Sequence, residues 1–153
     1  FENVSSYFTF ENPEMSEWEF ITEISKKSGC KILLDVNNIY VNSVNHSFAP
    51  EEFLNAIPLE IVGQFHLAGY SDMGTHLIDT HDHPVSKPVW NLYKKAVKRF
   101  GPIPTLIEWD GRIPKFQRVF AEALKAIAIQ ESIFGKQKYQ NPTSQADTAA
   151  ILA

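Results

Sequence analysis

Two histidines and two aspartates crowd into DTHDHP, residues 79–84, and a third histidine, His66, closes the apolar run IVGQFH. Imidazole and carboxylate groups bind metal ions and move protons. In the D-x-H pair, Asp79 and His81 sit at i and i+2 and so fall on one side of an extended segment, where both can face one ion. Further groups of the same chemistry recur along the chain. Glu2 lies near the start, Asp35 closes KILLD and is followed by Asn37 and Asn38, and Glu108 closes PTLIE. A single Asp at a strand end is an ordinary helix N-cap, and a single His there is ordinary scaffold. A whole set is different, because gathering so many carboxylates without a cation is costly. Mixed nitrogen and oxygen donors suit iron, manganese or zinc, and no thiolate set points to a structural zinc.

The elements that position these groups are readable from periodicity. Strand-like runs are expected at the end of a first strand near residues 1–3, then at residues 31–36 (KILLDV), in EIVGQFHLAG, and at 103–109 (IPTLIEW). Helices are expected between them. One opens with a capping box, Ser16 with Glu19, and stops at Gly29. A short one starts at Pro50, another covers KPVWNLYKKAVKRF, and the last carries Phe116, Val119, Phe120, Leu124 and Ile127 on one side. Strands alternating with helices imply parallel βαβ units. Glu2, Asp35, His66 and Glu108 then fall at the carboxyl ends of strands, the rim where α/β proteins build their sites, and Asp79 and His81 fall in the loop after His66. The connection from Gly69 to Ser86 is longer than usual for such units, a mark of function.

The chain has 153 residues, 44% hydrophobic and 21% charged, enough for a core. A net charge of −4 gives no basic patch for nucleic acid, and no apolar run is long enough to span a membrane. The lone Cys30 cannot form an internal disulfide and fits a reducing, cytoplasmic setting; at a strand start it is expected in the core. His46 is a weaker site candidate. Of Asp82 and His83, at most one is expected to support the ligands from behind. Trp18, Trp90 and Trp109 are expected to pack, Trp109 at the border of the site. The tail, residues 134–153, is polar and then Ala-rich and reads as weakly ordered, leaving residues 1–133 as the folded part.

Together ENVSSY, LLDVNNIYVN, FHLAGYSD, LIDTHDHPV, PVWNLY and PTLIEWD resemble the multinuclear non-heme iron-dependent oxidative enzymes, the family that includes the methanobactin precursor oxidase. The resemblance runs from Phe1 to about Ile127. It implies a TIM barrel of which this chain is about half, four βα units similar to strands five to eight. It also implies two or three iron ions, dioxygen as co-substrate, and oxidation of cysteine residues in a ribosomally made precursor peptide presented by a partner protein. The residues matching the family's ligands are Glu2, Asp35, His66, Asp79, His81 and Glu108, with Asn38 as a further one; His83 receives no role. The opening FENVSSYFTF reads like the middle of a protein, and half a barrel is expected to turn over little by itself. Two other readings stay open: a metal-dependent hydrolase or isomerase on a xylose-isomerase-like barrel, and an inactive piece that only binds metal or a partner.

Overall fold

The computed structural model describes residues 1–136, so most of the tail expected at 134–153 lies outside the described residues. Helix α1 (Glu17–Ser28) is bounded as its sequence dictates. The Ser16 side chain accepts from the Glu19 N–H, the Glu19 carboxylate accepts from the Ser16 N–H, and Gly29 takes the left-handed conformation that ends the helix. Strand β1 (Ile32–Asp35) follows, then α2 (Val36–Asn45), α3 (Pro50–Ala56) and a single 3-10 turn leading into β2 (Val62–Leu67). The short strands β3 (Ser71–Asp72) and β4 (Leu77–Ile78) pair antiparallel, so the long connection after β2 contains a small hairpin that periodicity did not reveal. Helix α4 (Lys87–Phe100), β5 (Thr105–Ile107) and α5 (Phe116–Phe134) complete the order.

The sheet is parallel, with order β1-β2-β5, and Glu2 makes a further parallel bridge to Leu33 on the outer side of β1. Strands therefore lie side by side in chain order, which is compatible with part of a barrel. Register sets the neighbours at the rim: Asp35 lies opposite His66, and His66 opposite Leu106. One apolar core joins the sheet to the helices, with Leu34, Phe65, Leu67, Phe53, Val89 and Tyr93 all buried. Trp18 packs edge-on against Phe53, and Trp90 is buried, as expected. No helix among the described residues is long and apolar enough to cross a membrane.

Three expectations need correction. The strand expected over residues 31–36 ends at Asp35, because VNNIYVNSVN is a helix, α2, that the Asn-rich sequence hid, with Val36, Ile39 and Val41 buried on it. Cys30 is exposed rather than in the core, because the chain leaves Gly29 on the surface before β1 turns inward. The apolar side of α5 is largely exposed, with Phe116 at 72% and Phe120 at 49%, while Ala126 is the apolar residue of α5 that is fully buried.

Candidate metal centre

The four rim elements converge. Asp35 is the last residue of β1 and serves two purposes at once. Its Oδ1 caps α2 by accepting from the Asn38 N–H at 2.8 Å, while its Oδ2 lies 2.8 Å from His66 Nδ1. The helix-cap reading and the ligand reading thus each claim one oxygen. Asn3 holds the Asp35 backbone from both sides: its Oδ1 accepts from the Asp35 N–H at 2.8 Å and its Nδ2 donates to the Asp35 carbonyl at 2.9 Å. This brings neighbouring Glu2 to the rim, where Oε1 accepts from His66 Nδ1.

His66 is 1% exposed and Asp35 0%. On the far edge of the His66 ring, Nε2 lies 2.6 Å from Glu108 Oε2. Glu108 follows β5, and its N–H donates to the Leu67 carbonyl at 3.0 Å, which extends the β2–β5 ladder by one step. His81 completes the group. Its Nδ1 lies 3.1 Å from Glu108 Oε2 and 3.4 Å from Asp110 Oδ2, its Nε2 lies 2.6 Å from Asp79 Oδ1, and its ring meets that of His66 edge-on, centroids 5.3 Å apart. Two overlapping sets of metal-ligating atoms result: Glu2, Asp35 and His66, and His66, His81 and Glu108, the atoms of each within 4.8 Å of one another.

Apart from the Glu2–His66 pair, these approaches do not satisfy one another as hydrogen bonds. Asp35 Oδ2, His66 Nε2 and His81 Nε2 are buried and lack hydrogen-bond partners, although carboxylate or imidazole atoms stand within 2.8 Å. Buried polar groups are rarely left so. Four carboxylates (Glu2, Asp35, Asp79, Glu108) meet two imidazoles, so negative charge exceeds positive even with both rings protonated. A di- or trivalent cation relieves both defects, and the donor chemistry fits one. The electrostatics agree. Burial pushes the Asp35 carboxyl above its ordinary range, against the pull of His66. Burial also works to lower both imidazoles, but the carboxylates of Asp35 and Glu2 push His66 up to about 9, and Asp79 with Asp35 does the same for His81. Each ring thus attracts a positive charge, which a metal can supply in place of a proton.

The expected residues Glu2, Asp35, His66, Asp79, His81 and Glu108 are brought together. Asn38 sits one step back: its N–H caps Asp35, its Nδ2 donates to the Asn3 carbonyl at 3.1 Å, and its Oδ1 is buried without a partner. His46 does not join. It ends α2, with Nε2 2.8 Å from Ser6 Oγ, and ties down the segment after Glu2. Sequence reasoning gave no role to three contributors. Asn3 is the clamp on Asp35. Asn37, fully buried, donates to Asp79 Oδ1 at 2.7 Å. Tyr7 accepts the Asp79 N–H at 3.1 Å. Their only signal was proximity in ENV, DVNN and SSY to residues already singled out.

His81 itself is strained. Its φ is +48°, a region costly to residues with a Cβ, by about 1 kcal/mol or more. Gly69 makes room for this loop, since a Cβ there would stand 2.0 Å from the His83 carbonyl oxygen.

The sequence profile of the family described as RiPP precursor modification enzyme MbnB/TglH/ChrH matches residues 1–131. A UPF0276 protein of Anaeromyxobacter sp. is 50% identical over 129 residues, covering 84% of this chain and 46% of its own. A UPF0276 protein of Acaryochloris marina is 46% identical over 125 residues, covering 82% and 45%, and one of Vibrio parahaemolyticus is 44% identical over 136, covering 86% and 47%. The chain spans about half the length of the curated relatives it matches.

Proposed function

The chain belongs to the MbnB/TglH/ChrH family of RiPP precursor modification enzymes, and from that premise we propose that it forms one side of a multinuclear iron centre. The whole protein is then a TIM-type barrel to which residues 1–133 contribute. It is an oxidoreductase that alters cysteine residues of a ribosomally made precursor peptide with dioxygen, a partner protein presenting the peptide. The observation that carries the reading is the trio of buried atoms without hydrogen-bond partners, Asp35 Oδ2, His66 Nε2 and His81 Nε2, in a rim with excess carboxylate.

His66, His81 and Glu108, with Asp79 beside them, would hold one ion; Glu2 and Asp35 would face a neighbouring one. Iron bound there would supply the change of oxidation state that reaction with dioxygen requires, and the nitrogen and oxygen donors suit it. The chain's own work is positional. With an ion bound, a hydrogen bond from His66 Nδ1–H to Glu2 would fix the tautomer whose Nε2 lone pair is free for that ion beside Glu108. Asn3 and the start of α2 hold Asp35. Asn37 and Tyr7 hold Asp79. Burial of Asp35 and His66 keeps water from that side of the site.

The test is anaerobic iron loading of the whole protein, then dioxygen with a cysteine-bearing precursor peptide. Dioxygen uptake and a mass change confined to cysteine are expected. An iron-loaded protein that does neither would sink the proposal.

A further inference from the structure

Asp82 was not needed to build the rim, yet it is the hub of the loop that carries His81. Its Oδ1 accepts from Thr80 Oγ1 at 2.5 Å and from His83 Nδ1 at 2.5 Å. Its Oδ2 accepts both the Arg112 Nε–H, at 2.8 Å, and an Arg112 Nη2–H. Arg112 belongs to the segment after β5, three residues past Trp109, and it too adopts a left-handed backbone, φ +47°. The same two segments are joined at main-chain level around His81. The His81 N–H donates to the Gly69 carbonyl at 3.0 Å, and the His81 carbonyl accepts from the Asp110 N–H at 2.7 Å and the Gly111 N–H at 3.4 Å. Gly111 fits closely here, since a Cβ on it would stand 3.2 Å from Asp82 Cβ.

We propose that Asp82 and Arg112 form a positioning clamp: their forked ion pair locks the loop after β5 onto the His81 loop and holds His81, in its strained backbone conformation, facing Glu108. An isolated His prefers another conformation, so something must hold this one. Main-chain bonds hold it only through the N–H and carbonyl of His81 itself. Two guanidinium N–H groups of Arg112 converging on the one oxygen Asp82 Oδ2 add a charge-assisted side-chain link between the two loops. Arg112 is mostly exposed, whereas Asp82 is mostly buried, so the pair is anchored from the inside. Neither residue touches the candidate ligand atoms; both act through His81 and the segment after Glu108. This inference rests on the metal reading of His81 and Glu108 for its chemical consequence, but the clamp itself is a property of the metal-free chain.

Arg112→Ala and Asp82→Asn test it in two arms. In the first, amide hydrogen exchange is read on the metal-free chain by NMR. Both variants are expected to speed exchange at His81 and Asp110 by about tenfold or more, while the Phe65 amide, bonded to the Pro104 carbonyl at 2.9 Å, stays as in the parent. In the second, cobalt(II) is the probe, and the visible absorption bands are expected to shift with affinity falling about tenfold. Exchange at His81 and Asp110 within twofold of the parent in both variants overturns the clamp. Faster exchange with unmoved cobalt bands overturns its role toward the metal, since a pair that only braced a loop would act that way. A parent chain that takes up no cobalt contradicts the metal reading, and the exchange arm then decides the clamp alone. Arg112→Ala removes a mostly exposed side chain, so it keeps the test open if Asp82→Asn does not fold.

Discussion

At the carboxyl ends of the strands, Asp35 and His66 are buried and their partners come from the same chain: Asn3, Asn38, Glu2 and Glu108. Along β5 and α5 the situation is reversed. Leu106, Phe116, Phe120 and Leu124 are apolar and stand 40% to 72% exposed. The first region spends polar residues where water is excluded, and the second leaves apolar residues where water is present. Each is unfavourable by itself. The rim has a local remedy, because a cation can satisfy acids and imidazoles that already converge. The α5 face has no remedy among the described residues. The contrast separates what this length of chain organises by itself from what it leaves open.

The largest test of that contrast is thermodynamic. Phe65 is fully buried between sheet and helices, edge-on to Tyr93. Phe65→Ala should lower unfolding stability by about 3–5 kcal/mol in denaturant titration. Phe116→Ser on the α5 face should change it by about 0.5 kcal/mol or less. Equal losses at the two positions would break the comparison, since Phe116 would then be buried in solution.

The second effect is proton-linked. With metal absent, the folded pKa values of His66 and His81 stand at about 9, above the ordinary 6.5. A raised folded value means stability that is fully present below 6.5 and is lost as pH rises through about 9. The melting temperature of the metal-free chain should therefore fall across that window. Over the same window metal affinity should rise, by about tenfold per pH unit for each proton displaced. A flat pH response of both quantities would count against charged imidazoles in this rim.

The smallest effect distinguishes support from ligation. Asn3→Ala removes both bonds to the Asp35 backbone and leaves a buried N–H and carbonyl without those partners, at a cost of about 1–3 kcal/mol. The chain should still bind metal, more weakly, by about 10-fold to 100-fold. Complete loss of binding in a folded Asn3→Ala chain would make Asn3 a ligand instead.

Much of the rim was legible because strand ends are marked in sequence. Apolar runs stop at Asp35, His66 and Glu108, and parallel register does the rest by setting Asp35 opposite His66. The helix α1 was legible from Ser16, Glu19 and Gly29, whose capping roles depend on neighbours a few residues away. Other features depended on distant partners and carried no local mark. The Asn3–Asp35 and Asn37–Asp79 bonds join residues far apart in sequence, and Asn is common in loops of every kind. Helix α2 was hidden for the same reason: its asparagines bond across to the segment after Glu2, as Asn42 does to the Ser6 N–H, instead of signalling a helix. The periodicity of α5 gave its apolar side but not what lies against it.

The most direct measurement is anaerobic iron titration of the metal-free whole protein beside its His66→Ala variant, with folding checked by circular dichroism. Tight uptake by the parent and affinity reduced by about 100-fold or more in the folded variant is the result this account requires. Equal uptake by both chains, or none by either, would contradict it.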